Sequence, residues 1–207
     1  MDLNDKSKGY IFFVRHGQTD WNLKKLMQGR DQIPLNETGL KQADWTAEAI
    51  KDACKKGSFS FDHVYSSPLV RAEVTGKKIA DAISCDFSVD DRLIERDFGD
   101  MSGKPYDFSC PAILHDVPEI SGLEPTSEVI ARLNSFIRDN VRVGEKIIGV
   151  THGSVTRIFA ENAIKSPDID NFEEVLSNCH MVIYSYDGKD ILMECYNISP
   201  KNLDSLI

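Results

Sequence analysis

Arg15 and His16 are adjacent in the octet Arg15-His16-Gly17-Gln18-Thr19-Asp20-Trp21-Asn22. A guanidinium offers a planar fork that suits phosphate oxygens, and an imidazole beside it is placed to attack phosphorus. Gly17 has no Cβ, so the backbone there can pass close to a ligand. Much later the chain repeats the theme as His152-Gly153-Ser154. A lone histidine is usually structural, but two in matching local contexts point to one shared site. Arg71 and Glu95 are the other residues of interest. The commoner role of Arg71 would be a solvated helix arginine. The bland alternative for Glu95 is a loop salt bridge to Arg92 or Arg96.

The elements around these residues explain how they could meet. Residues 10–14 form an apolar run rich in β-formers, and residues 146–151 form a second. Each reads as a strand buried on both faces. His16 and His152 then sit at strand ends, the carboxyl edge where open α/β sheets bind ligands. Thr38 is expected to cap a helix whose apolar residues are Leu40, Ala43, Ala47, Ile50 and Ala53. Residues 61–66 read as a strand. Ser67 as cap and Pro68 at the first position then predict a helix that carries Arg71 one turn in. Its first N–H groups are expected to face an anion. Residues 85–89 suggest an edge strand, and Thr126 opens a helix with Val129, Ile130, Leu133, Phe136 and Ile137 on its apolar face. Residues 181–186 and 191–196, joined through Asp187-Gly188, read as a hairpin. The stretch 104–121 holds Pro105, Pro111 and Pro118 and reads as an irregular flap with a short helix near 110–115.

Composition narrows the classes. The chain has 207 residues and a net charge of −9, with a pI near 5.0. Such a balance argues against nucleic acid and anionic membranes as partners, but a local arginine cluster still suits a small anion. The polar N-terminus has no signal-peptide core, and no apolar run approaches a membrane span. Five cysteines are scattered without a Cys-x-x-Cys pair, which fits reduced thiols in a cytoplasmic protein. The histidines lack ligand spacing, so no metal site is expected.

Five segments together resemble the histidine phosphatase superfamily, in its phosphoglycerate-mutase-like branch. Residues 15–22 match its Arg-His-Gly-x-Thr-x-x-Asn signature. Residues 35–43 match a helix start, 66–72 the segment of its second arginine, 93–99 that of its acid, and 150–153 that of its second histidine. The resemblance spans about 10–198. It implies an α/β three-layer sandwich: a mostly parallel central sheet, helices on both faces and a C-terminal hairpin closing the sheet. Residues 1–207 would form one domain, with a flap insertion at about 97–125.

The resemblance also implies roles. His16 attacks phosphorus and becomes a phosphohistidine, its other ring nitrogen held as N–H by a backbone carbonyl. Arg15, Arg71 and His152 hold the equatorial oxygens. Glu95 protonates the leaving group and then activates water, with the flap carboxylate Glu124 next in line. Asn22, Gly17, Gln28, Gly29 and Gly153 are the expected substrate contacts. Neither cofactor nor metal is expected. The partner is a small phosphorylated substrate, with a homodimer left open. Family members often carry Gly-Glu-Ser where this chain has Glu124 followed by Pro125, which bears on flap contacts. Mutases have a longer insertion and an arginine pair. Here 152 − 95 = 57 residues separate acid from second histidine, and Arg96 and Lys104 are the only basic residues between Glu95 and Glu124. Water then competes for the phosphohistidine. The expectation is a phosphatase acting on phosphoserine or a sugar- or glycerate-type phosphate. Cofactor-dependent phosphoglycerate mutase is the alternative, and a non-catalytic binding protein is disfavoured by the intact set of residues.

Overall fold

The computed structural model describes residues 3–206 except 58, 108, 168 and 170–175. Within them seven strands form one mixed sheet. They are β1 (Gly9–Arg15), β2 (His63–Ser66), β3 (Phe87–Val89), β4 (Lys146–Thr151), β5 (Ile164–Lys165), β6 (Met181–Tyr186) and β7 (Ile191–Ile198), in the order β3-β2-β4-β1-β6-β7-β5. The first four in that order run parallel. β6 docks antiparallel on β1 and pairs antiparallel with β7. The hairpin therefore extends the sheet from its central strand, and its outer strand is bordered in turn by β5, which is parallel to β7. Sequence patterning did not reveal β5, because both of its residues are exposed.

The two faces of the sheet follow from strand alternation. Ile11 and Phe13 of β1 pack with Val129, Leu133 and Phe136 of α4 (Thr126–Asn140) and with Val155, Ile158 and Phe159 of α5 (Gly153–Asn162). Tyr10, Phe12 and Val14 face the other way. They pack with Ala47 and Ile50 of α2 (Glu37–Gly57) and with Ala72 and Ile79 of α3 (Val70–Ile83). β1 is covered on both sides, which is why it reads as an unbroken apolar run. Among the described residues no helix is long and apolar enough to cross a membrane.

Two helix starts differ from expectation. α2 is capped by Asn36, not Thr38: the Asn36 side chain accepts from Gly39 N–H at 2.8 Å. α3 begins at Val70, later than Pro68, and has no side-chain cap of its own. Ser67 Oγ accepts from Leu69 N–H at 3.3 Å, just ahead of the helix, and also pairs with His152 at 2.7 Å. Gln32, from a separate loop, takes the Val70 N–H instead at 2.8 Å. That donor is thus not free for an anion.

The segment 97–125 is irregular, with 3₁₀ turns at Gly99–Met101 and Pro111–Ile113. A fully buried arginine, Arg96, ties it together. Its guanidinium donates to the carbonyls of Glu124 (2.7 Å), Ala112 (2.8 Å) and His115 (2.9 Å) and to the Asp116 carboxylate (2.7 Å). Losing this guanidinium would strip the carbonyls of Glu124, Ala112 and His115 of their donor, and each unsatisfied buried group costs about 1–3 kcal/mol, whereas an exposed ion pair such as Lys51–Glu48 is worth less than about 1 kcal/mol. Urea denaturation of Arg96→Met should therefore show a midpoint far below that of Lys51→Met. Equal midpoints would show that Arg96 does not hold the segment.

Candidate active site

β1 and β4 pair in parallel with Arg15 opposite Thr151. The next residue of each strand is His16 and His152, and His16 N–H donates to the Thr151 carbonyl at 3.0 Å. The two imidazoles lie with ring centroids 5.1 Å apart. His16 Nδ1 is 2.7 Å from the Gly17 carbonyl oxygen. A carbonyl only accepts, so Nδ1 carries the proton and Nε2 keeps its lone pair. Arg71 Nε donates toward that Nε2 at 3.3 Å. Burial first, then Arg71 and Arg15, hold His16 well below the ordinary imidazole range. The ring is thus neutral, with its Nε2 lone pair turned to the Arg71 guanidinium.

Arg71 is 0 % exposed. Besides His16 it donates to the carbonyls of Gly29 (2.8 Å) and Asp31 (2.7 Å), using three of the five N–H donors of a guanidinium. Arg15 donates to the Leu176 carbonyl, while its buried Nε has no partner among the described residues. Gly153 makes room for it: a Cβ there would stand 3.2 Å from Arg15 Nε. Gly17 has a different use. A Cβ on it would stand 2.5 Å from the Gly39 carbonyl oxygen, so its close approach is to the start of α2.

His152 occupies the cap position of α5, fully buried. Nε2 meets Ser67 Oγ, and Nδ1 has no partner among the described residues. Burial, then Arg71 and His16, keep this ring neutral as well. Glu95 is 7 % exposed. One of its oxygens accepts from Arg96 N–H at 2.9 Å and from Val155 N–H, in the first turn of α5, at 3.2 Å. Burial raises its pKa despite these bonds and the charge of Arg71. Neither Arg92 nor Arg96 pairs with it: Arg92 is held by Asp90 and Asp139, and Arg96 by the flap. Glu124, the other candidate acid, is committed elsewhere, to Arg132 at 3.0 Å, Arg30 at 3.2 Å and Asp97 N–H at 3.2 Å.

A cleft opens on this group. Arg15, His16, Asn22, Gln28, Glu95 and Gly153 line it, whereas Arg71 and His152 contact His16 rather than the cleft wall. Gly29 serves through its carbonyl, on Arg71. Asn22 completes a capping box with Thr19 at the start of α1 (Asp20–Leu23). Its Oδ1 also accepts from Asn178, which in turn donates to the His16 carbonyl at 2.9 Å. Thr19 Oγ1 donates to Gln28 Oε1 at 2.9 Å. With both oxygens occupied, Asn22 and Gln28 present their NH₂ ends as donors. Phe98, Tyr106 and Ile113 bring the 97–125 segment into the wall, joined by Leu26, Met27 and Leu176. Ser154 fastens that segment to α5 by donating to the Ile113 carbonyl at 2.6 Å. Ser67, Asn178, Arg96 and the cleft-lining Arg157 escaped sequence reasoning. For Arg157 a signal existed, its i+4 spacing from Gly153. Among the described residues no group of three or more His, Cys, Asp or Glu is placed to hold a metal ion.

A family model described as "Histidine phosphatase superfamily (branch 1)" matches residues 11–199. The chain is 31 % identical over 195 residues to "Uncharacterized phosphatase PhoE" of Bacillus subtilis (strain 168), covering 91 % of this chain and 94 % of that one. It is 32 % identical over 202 residues to "Phosphoglycerate mutase-like protein 4" of Arabidopsis thaliana, covering 90 % and 84 %. The fold is shared with the crystal structure of an Entamoeba histolytica phosphoserine phosphatase in complex with 3-phosphoglyceric acid. That match has a TM-score of 0.70 at 24 % identity, over 92 % of this chain and 97 % of that one. The chain belongs to the histidine phosphatase superfamily, branch 1.

Proposed function

We propose that the chain is a phosphomonoesterase that hydrolyses a small phosphorylated metabolite, phosphoserine or a sugar- or glycerate-type phosphate, through a phosphohistidine and without a metal ion. The observation that carries this reading is the His16 ring, protonated at Nδ1 toward Gly17, with its Nε2 lone pair facing the Arg71 guanidinium. Nε2 attacks phosphorus in line. The N–P bond forms, the ester P–O bond breaks, and Glu95 gives its proton to the leaving oxygen. Water then attacks the phosphohistidine while Glu95 takes a proton back, returning inorganic phosphate and neutral His16. Arg15, Arg71 and an N–H of His152 balance the charge on the equatorial oxygens, the work a metal does elsewhere. Asn22, Gln28 and Gly153 border the transferred group. Hydrolysis is favoured over a mutase cycle because only 57 residues separate Glu95 from His152 (152 − 95), a short insertion that leaves water able to reach the phosphohistidine. A phosphatase relative and a phosphoserine phosphatase of the same fold support the class. Free cysteines, three of them half-buried around the sheet, support a cytoplasmic setting.

Glu95→Gln separates the roles. An alkyl ester needs a proton on its leaving oxygen, and positioned acid catalysis supplies on the order of 10²–10⁴-fold. Loss on phosphoserine should reach that range, with a much smaller loss in the burst phase on p-nitrophenyl phosphate, followed by slow turnover as phosphoenzyme accumulates. His16→Ala should give no acid-labile phosphoenzyme, and EDTA should leave the wild-type rate unchanged. Equal losses on both esters without a burst would remove Glu95 from acid–base duty.

The pH profile gives a second test. His16 must be neutral, and its pKa is lowered, so kcat/KM should hold on the acid side until pH falls well below the ordinary imidazole range. Glu95 must be protonated, and its pKa is raised, so the rate on alkyl esters should fall as pH rises through a value above the ordinary carboxylate range. The profile is read after correction for the substrate's own ionisation. An alkaline limb that persists unchanged in Glu95→Gln would assign it to another group.

A further inference from the structure

Arg157 lines the cleft but takes no part in the chemistry just described. It lies four residues beyond Gly153, on the same face of α5, one helical turn or about 5.4 Å further along. A Cβ on Gly153 would meet the Arg15 guanidinium, so Arg157 stands about one turn from the phosphoryl end of the cleft. Its side chain is only 16 % exposed, and its buried Nε has no hydrogen-bond partner among the described residues. Its ion-pair partner, Glu161, is 3.8 Å away, beyond hydrogen-bond reach. The pair also has the weaker helical order, with the cation N-terminal to the acid. The same cleft is also lined by the apolar Leu26, Phe98, Ile113 and Leu176.

A guanidinium largely removed from water, without a tight partner among the described residues and lining a cleft, is suited to take an anion from the ligand. We propose that Arg157 forms a subsite for a carboxylate on the substrate, so that the preferred esters are phosphorylated hydroxy or amino acids. This rests on the phosphatase reading above and narrows it. One helical turn suits the few bonds that separate phosphorus from carboxylate in such molecules. A second phosphate fits less well. It carries nearly two negative charges, and one arginine would leave it only partly neutralised.

The test compares esters that differ only in the carboxylate. kcat/KM is measured for phosphoserine against phosphoethanolamine and for 3-phosphoglycerate against glycerol 3-phosphate, with wild type, Arg157→Met and Arg157→Lys. A wild-type preference of at least about tenfold for the carboxylated member is expected. It should collapse toward one in Arg157→Met and survive in part in Arg157→Lys, which keeps charge but loses the fork. A wild-type ratio near one overturns the proposal, whether or not the variants fold. So does a ratio preserved in Arg157→Met, or a loss there that is equal for both members. Selective loss on a sugar bisphosphate with the phosphoserine ratio intact would assign the subsite to a second phosphate and overturn the carboxylate. If wild type hydrolyses no ester, p-nitrophenyl phosphate included, the phosphatase reading fails separately. Calorimetric titration of phosphoserine and phosphoethanolamine then gives the same ratio as affinities, judged by the same criteria.

Discussion

The register of one strand pair fixes this site. β1 and β4 run parallel with Arg15 opposite Thr151, so two histidines 136 residues apart in sequence (152 − 16) leave the sheet side by side. A one-residue slip would turn every side chain of β1 to the other face. Phe13 would leave the α4–α5 side and Phe12 the α2–α3 side, at a cost no site interaction offsets. Burial of β1 on both faces therefore locks the relative position of His16 and His152 more firmly than any bond between them. Arg71 and Glu95 come from elements packed on opposite faces of the same strands, so the core that fixes the register also carries the rest of the group.

The buried arginines show how such a site keeps its charge. Removing a guanidinium from water is costly, and burial lowers the pKa of Arg71 to about 10. The stabilising partners of Arg15 and Arg71 are mainly carbonyls, those of Leu176, Gly29 and Asp31. Carbonyl dipoles solvate a cation without neutralising it. The positive potential thus remains available to a phosphate dianion, in a protein whose net charge is −9. Arg96 shows the contrasting arrangement. It is equally buried, but its fourth bond goes to the Asp116 carboxylate, and it holds structure rather than ligand. The two fully buried arginines, Arg71 and Arg96, thus differ in whether a counter-group bonded to the guanidinium carries charge.

Much of this was legible in the sequence because it is local. The two apolar runs, the His-Gly pairs that follow them and the helix carrying Arg71 all depend on neighbours a few residues away. The carbonyl partner of His16 is its own successor, Gly17. What failed to show was non-local. Ser67 looks like a helix cap, but its hydroxyl also pairs with His152, 85 residues on. Thr38 seemed to open α2 where Asn36 does. That is a two-residue error between two good capping residues, which propensity alone does not separate. Gly17 suggested room for a ligand, whereas its space is filled by Gly39. Arg96 looked like a possible partner for Glu95, and only closure of the 97–125 segment shows its four acceptors. β5 has no pattern to read, since neither of its residues is buried.

One peptide links the flap to the chemistry. Glu95 receives the N–H of Arg96, and the Arg96 side chain gathers the carbonyls of Ala112, His115 and Glu124. Ser154, next to Gly153 on α5, ties the same segment through Ile113. The acid is thus held between two anchors of the wall that closes the cleft, one in its own backbone and one in the helix whose N-terminus it caps through Val155. Displacing the wall shifts the carboxyl, and it also admits water, which would relieve the burial that raises its pKa. Water exclusion and proton donation are therefore not independent properties of this site. A ligand that packs against Phe98, Tyr106 and Ile113 would shield Glu95 further, and so favour the protonated form that the proposed acid role requires.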